Sequence, residues 1–291
     1  MHAYMIIAHN QFELLEKLIL ALDDERNDIY VHIDAKVKDF DFECFSNITK
    51  HSAVRFTDER VNITWGDFSQ VKCEMVLLKN AVNAENPDKP YEYYHLISGV
   101  DLPIKSNDEI HRFFSGNYGK EFIHYSSNEV RTSSVARIKY YHLFRKRRNM
   151  LNKVLAQIAL RIQMVLGVNR LKNTDIKVQK GCNWFSITGD LAKYIASKQA
   201  EYEKIFRYSY CCDEIFIQTI VESSEFKGNL FMPNCNDDHF ACARLIDWKR
   251  GNPYVWTVAD YDEIMSSPCM FARKFDYKNH PEIVDKVLEN R

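Results

Sequence analysis

Two carboxylates stand side by side at the head of an apolar run in YSYCCDEIFIQTIVES, residues 208–223: Asp213 and Glu214. A helix start accounts for both, with Asp213 as the N-cap and Glu214 complementing the dipole from the first turn. The same placement suits chemistry, with Asp213 fixing the helix entry and Glu214 projecting into a cleft as a general base that takes the proton from an attacking hydroxyl. A second set answers to negative charge: Arg244, Lys249, Arg250, Arg273 and Lys274 lie among aromatic residues in ARLIDWKRGNPYVW and MFARKFD. Such groups hold a diphosphate by charge-assisted hydrogen bonds and stabilise it as a leaving group, the electrostatic work of a metal ion. Taken singly, each is an ordinary surface charge. A third candidate is Asp34, which closes the β-like run of VHIDAK (31–36) after His32. A carboxylate at the carboxyl end of a strand can accept hydrogen bonds from a ribose or a base, and it can equally initiate a turn.

Three acidic patterns, Asp39-Phe40-Asp41, Asp260-Tyr261-Asp262 and Asp237-Asp238, have the paired carboxylates that hard cations favour. Patterns this short arise by chance, and no His/Cys ligand spacing accompanies them, so neither a structural zinc nor a catalytic metal is expected. Eight cysteines with no CxxC pair read as reduced, buried thiols rather than a disulfide framework. The opening MHAYMIIAHNQ has no basic leader followed by an apolar stretch, and no later run reaches the length of a membrane span. The expectation is a cytoplasmic protein.

These residues must be positioned by a fold, and the first half of the chain states its class. Short β-branched or aromatic runs (YMIIAH, IYVHID, VRFTDE, YYHLISG) alternate with helical patterns near 11–23 and 67–84, which predicts βαβ units and a mainly parallel sheet. In the second helix Phe68, Val71, Met75, Leu78 and Val82 recur at spacings of three and four, one apolar stripe facing the core. GCNWFSITGD reads as a strand leading to a turn, with a helix near 189–205 after it. At 291 residues, 46% hydrophobic and without repeats or low-complexity tracts, the chain reads as one large α/β domain over 1–291.

The net charge of -1 conceals one departure from balance: residues 131–172 hold eleven Lys or Arg and no Asp or Glu. Val154, Leu155, Ile158, Ile162 and Val165 fit a helix with basic residues on its other faces. This insertion suits an anionic membrane surface, or else a solvated or partner-binding arm. Nucleic acid is not expected as a partner, because no RNA or DNA module accompanies the charge.

The landmarks YMIIAHN, VHIDAK, ITWGDFSQVKCEMVLLKNA, YYHLISGVDLPIKSNDEI, GCNWFSITGDLAKYI, CCDEIFIQTI and VADYDEIMSSPCMFARKFD together resemble, in order and over nearly the whole chain, the core-2/I-branching β-1,6-N-acetylglucosaminyltransferases and the related protein O-xylosyltransferases. The resemblance implies a GT-A-type, Rossmann-like nucleotide-sugar fold and an inverting transferase that works without a bound metal. It makes Glu214 the general base and assigns the diphosphate to Lys274 with an upstream arginine, Arg244 first, with Arg250 or Arg273 as alternatives. It puts Asp34 on the uridine side, Trp65, Gly66 and Asp101 at the sugar-nucleotide pocket, and Trp184 beside the acceptor. The implied donor is UDP-GlcNAc, with UDP-xylose or another UDP-sugar as the alternative, and the acceptor a glycan or glycolipid. Inverting transfer needs one base and positive charge on the leaving diphosphate, whereas a glycoside hydrolase needs a second carboxyl group across the cleft, for which Asp101 and Asp213 are candidates. The animal members carry a membrane anchor and disulfides that this sequence does not show, and its basic segment is poorly matched. A cytoplasmic enzyme at the inner membrane face, using a lipid-linked acceptor, is the expectation that joins both departures. The non-enzyme alternative is a nucleotide-sugar-binding, membrane-associated assembly protein.

Overall fold

Alternation along the first strand sets the architecture. β1 (His2–Ala8) turns Ala3 and Met5 to one core and Tyr4 and Ile6 to the other, because successive side chains of a strand point to opposite faces. A strand apolar on both faces needs cover on both, which is how mainly parallel sheets are built. The structure, a computed structural model, describes residues 1–127, 132, 134–145, 149–234 and 239–291. In chain order β1 is followed by α1 (Phe12–Ala21), β2 (Asn27–Ile33), α2 (Phe42–Ser46), β3 (Ala53–Phe56), α3 (Ser69–Ala84) and β4 (Tyr93–Ser98). The four strands pair in parallel in the order β3-β2-β1-β4.

The chain then leaves this sheet through β5 (Asp101–Pro103) and α4 (Asn107–Gly116), and returns at β6 (Phe122–Ile123). The basic segment supplies α5 (Ala136–Lys139) and α6 (Met150–Val165). β7 (Phe185–Thr188) runs antiparallel to both β4 and β6, completing a six-stranded sheet. The helix expected near 189–205 is two, α7 (Gly189–Ser197) and α8 (Gln199–Phe206), because Lys198 leaves helical geometry and ends one as the other begins. α9 (Phe216–Glu222), β8 (Arg244–Ile246), α10 (Tyr261–Ser266), β9 (Phe271–Arg273) and α11 (Pro281–Asn290) follow. β5, β9 and β8 form a second, three-stranded sheet against the carboxyl end of the first. The expected α/β class with a mainly parallel central sheet is the one observed.

α3 lies on one face of the large sheet with Phe68, Val71, Met75 and Leu78 buried, while Val82 packs half-buried at the margin. The other face is covered by α1, α4 and α11 through Leu14, Leu18, Phe114 and Ile283. Of the seven described cysteines six are buried and Cys44 is exposed; Cys235 lies outside the described residues. Among the described residues no helix is long and apolar enough to cross a membrane.

Candidate active site

The carboxyl ends of β1, β2 and β4 lie side by side, and the chain gathers charged groups there. Asp34 follows β2; its N–H donates to Ala8 O (3.0 Å), and its carboxylate accepts the Lys36 N–H (2.9 Å) and faces Lys36 Nζ at 3.5 Å. The turn role and the strand-end position therefore coincide in one residue. His9, directly after β1, is lowered in pKa by burial, with Asp34 opposing and Lys36, Lys274 and Arg273 reinforcing the shift.

Beyond β4 the Ser98–Asp101 turn leads into the second sheet. Asp101, 1% exposed, accepts from the Ser98 N–H and hydroxyl (both 2.8 Å) and lies opposite Arg273 in the β5–β9 register. Arg273 Nη1 donates to Asp101 Oδ1 at 2.7 Å and to the Ser98 hydroxyl. Its guanidinium lies 4.6 Å from the centre of the Trp184 ring. Both bonds leave from Nη1, so Nη2 and Nε have no hydrogen-bond partner among the described residues. Neither does the adjacent Lys274 ammonium.

Glu214 stands on a single 3-10 turn, Cys212–Glu214, entered through Cys211 in the left-handed region (φ 44°). Asp213 does not cap a helix: α9 begins two residues after Glu214, with Ile215 at its N-cap position and no side-chain cap. Burial and the neighbouring Glu214 charge push the Asp213 carboxyl up to about 6. Glu214 Oε2 accepts from Arg137 Nη1 (2.7 Å) and lies 3.3 Å from Lys180 Nζ, while its backbone oxygen accepts the Gly181 N–H (2.9 Å). Gly181 is required there: a Cβ would lie 1.7 Å from His124 O. Arg137 belongs to α5, so the basic segment is not a detached arm. Ile138 is buried, and the Arg137 backbone oxygen accepts from the Tyr210 N–H (3.1 Å).

Trp65 and Gly66 complete the circuit. Trp65 is 59% exposed and meets Tyr210 edge-on at 6.2 Å. Gly66 has φ +75° and accepts the Cys211 N–H at 3.0 Å; a Cβ there would stand 2.9 Å from the Tyr210 ring. The Lys36 ammonium bonds to Ile63 O and the Ala35 N–H to Val61 O (3.1 Å). Contact by contact, loop 34–36 is tied to 61–66, 61–66 to 210–214, 210–214 to 180–184, 180–184 to Arg273, and Arg273 to 98–101. Seven of the eight expected site residues, Asp34, Trp65, Gly66, Asp101, Trp184, Glu214 and, next to Arg273, Lys274, sit on this ring.

Arg244 does not. It is 2% exposed, and its two terminal nitrogens are held by the Ser186 hydroxyl (3.1 Å), Phe185 O (2.9 Å), Leu96 O (3.3 Å) and Cys242 O, with the Phe271 ring beside it; its Nε is buried, away from any ligand cleft. It welds the two sheets rather than facing a ligand. Arg250 is likewise engaged, bonding Asp247, Asp260 (2.7 Å) and Glu263 (2.8 Å) at the surface. Of the three arginines proposed from sequence, Arg273 is the one beside Lys274 with free donors. In two of the acidic patterns one carboxylate is a cap: Asp41 accepts from the Cys44 N–H, and Asp260 forms a capping box with Thr257. Asp237-Asp238 lies outside the described residues, and among those described no three His, Cys, Asp or Glu form a metal-sized group.

The sequence reading missed His9, Lys36, Ser98, Arg137 and Lys180. The strand-end rule that selected Asp34 also selects His9 and Ser98. Arg137 carries no local signal, being 77 residues from Glu214.

The model of the family described as Core-2/I-Branching enzyme matches residues 2–272. The chain belongs to this family. It is 23% identical over 306 residues to xylosyltransferase 2 of Rattus norvegicus, covering 97% of this chain and 33% of that protein. It is 24% identical over 306 residues to the human N-acetyllactosaminide β-1,6-N-acetylglucosaminyl-transferase, covering 97% of this chain and 70% of that protein. The chain thus spans about a third of the xylosyltransferases it matches. Among solved structures, mouse xyloside xylosyltransferase 1 in its apo form aligns over 94% of this chain and 97% of its own at 9% identity, with a TM-score of 0.36.

Proposed function

We propose that this branching-family chain is an inverting glycosyltransferase that moves a sugar from a UDP-sugar to a hydroxyl of a glycan or glycolipid acceptor without a bound metal. The observation that supports it best is the ring of loops that joins one carboxylate, Glu214, to one arginine–lysine pair, Arg273 and Lys274. Glu214 Oε2 is held by Arg137 and Lys180, while Oε1 has no partner among the described residues and faces the work of proton acceptance. The acceptor oxygen attacks the anomeric carbon as Glu214 takes its proton; the bond to UDP breaks, its electron pair stays on the β-phosphate, and the configuration inverts. Arg273 and Lys274 stabilise that charge. Asp34 and His9, at the strand ends, take the nucleoside side. Hydrolysis fits less well: Asp101 has its oxygens engaged by Ser98 and Arg273, and Asp213 stands beside Glu214 rather than across from it.

N-acetylglucosamine is the first choice of donor sugar, following the human relative's name, and xylose the second, following the rat relative's. A non-catalytic binder is the competing reading. Glu214→Gln separates them: transfer or donor hydrolysis should fall by about 10²–10⁴-fold with UDP affinity retained, and a binder has no turnover to lose. UDP and UDP-sugars should stabilise the fold in EDTA by about 2.7 kcal/mol at a hundredfold excess over Kd; a requirement for manganese refutes metal independence. We also propose contact with an anionic membrane, supported by the basic segment and by the exposed apolar residues Met150, Val154, Ile158 and Val165 of α6. Equal failure to float with neutral and anionic liposomes removes that part.

A further inference from the structure

Glu214 is connected to α6 by a line of neighbouring residues, and its chemistry changes along the way. Next to Glu214 is Arg137, whose backbone binds Tyr210. The Arg145 guanidinium lies 4.3 Å from the centre of the Tyr210 ring, and His142 stacks on that ring at 5.7 Å. His142 and Arg145 also line a cavity of about 600 Å³ with Lys72, Arg207, Asp67 and Glu203. Lys72 is paired with Glu59, and the Asp67 carboxylate accepts the Ser69 N–H. Arg145 and Arg207 form no ion pair among the described residues, and Arg145 Nε is buried without a partner. Leu143 and Tyr208 belong both to this cavity and to a second, apolar one of about 510 Å³, whose other walls are Tyr141, Ala159, Ile162 and Gln163. That groove opens onto α6, where Ile158, Ile162 and Val165 are exposed.

We infer that the acceptor is an amphiphile, a saccharide joined through phosphate to an apolar chain. Its sugar lies at Glu214 by Trp65 and Tyr210, its phosphate between Arg145 and Arg207, and its chain in the Tyr141–Ile162 groove along α6. This rests on the transferase reading of Glu214. The order of the three zones carries the argument: a soluble glycan would have no use for the groove, and a bilayer surface alone would not require a guanidinium with a buried, unpartnered Nε, that of Arg145, lining a cavity behind it. Aromatic rings pack against sugar faces near the base, guanidinium groups match phosphate, and the groove removes apolar surface from water.

The test measures binding of farnesyl diphosphate, inorganic diphosphate and farnesol to the full chain with UDP at saturation, so that the donor diphosphate site is filled. Farnesyl diphosphate should bind about tenfold or more tighter than either fragment, since burying even a few methylenes exceeds that factor. Ile162→Asp, at a position exposed on the native surface, should erase the advantage over inorganic diphosphate. Arg145→Ala should erase the advantage over farnesol; Arg207→Ala, also at an exposed position, is the second phosphate-side variant. Equal binding of farnesyl diphosphate and inorganic diphosphate to the unaltered chain, or an advantage that survives all three substitutions, overturns the inference. UDP binding, read in the same samples, keeps the two readings apart. Its absence alongside an intact prenyl preference sinks the transferase reading alone, and the reverse sinks this one alone.

Discussion

The Arg273–Asp101 pair makes a sharp test because it asks one side chain to do two things. Asp101 is 1% exposed and retains the Ser98 N–H and hydroxyl when Arg273 is removed. Breaking a buried pair by deleting one partner costs about 3–5 kcal/mol, and the two surviving hydrogen bonds place Arg273→Ala at the low end, about 3 kcal/mol. For a chain of this size that lowers Tm by about 6–12 °C. Asp101→Asn removes the other charge and leaves Arg273 in place, so it should cost less and keep UDP binding. The double variant removes both charges and should recover most of the stability, because no uncompensated carboxylate remains. UDP binding behaves differently. Loss of a charge-assisted hydrogen bond to phosphate weakens it by about tenfold or more, and the double variant should not restore it. Differential scanning calorimetry and UDP titration on the four proteins of the cycle supply every number. A double variant that regains UDP affinity would show that Arg273 only orders the Ser98–Asp101 turn, and the proposed phosphate role would fall. A single variant that melts with the unaltered chain would show the pair to be unimportant.

Two other outcomes follow from the same geometry. Gly181→Ala places a Cβ 1.7 Å from His124 O, so the loop must shift and carry Lys180 and the 2.9 Å bond to Glu214 O with it; turnover should fall further than UDP affinity, and unchanged turnover refutes the link. His32 is buried and neutral, its Nε2 accepting the Val61 N–H (2.8 Å), and burial lowers its pKa from 6.5 to about 4. The stability this supplies is complete above pH 6.5 and is lost as pH falls toward 4, amounting to about 3 kcal/mol for the one group. His32→Gln keeps an acceptor for Val61 and should flatten the dependence of Tm on pH between 6.5 and 4; an unaltered slope rules His32 out as its source.

How far the sequence reaches into this site depends on whether the signal is local. The βαβ alternation and the Phe68–Leu78 stripe are local patterns, and both appear in the fold. The position of Asp34 at a strand end was legible because topology follows from element order, and strand ends are where an open parallel sheet places its ligands; Asp101 came from the family resemblance alone. Arg244 and Arg273 show the limit of such reasoning. They end up on neighbouring parallel strands, with Arg244 aligned to Phe271 and Arg273 to Ile246, yet one is sealed between the sheets and the other keeps free donors beside Lys274. Composition registers both charges and says nothing about which carbonyls lie within reach. The basic segment shows the limit from the other side. Its charge reads as a surface, and part of it is one, but Arg137 crosses 77 residues to hold the carboxylate proposed as base. If α6 takes up lipid or a lipid-linked acceptor, the segment that receives it is the same one that steadies Glu214. The contacts Arg145–Tyr210, Tyr210–Arg137 and Arg137–Glu214 then join the groove side of the segment to the base.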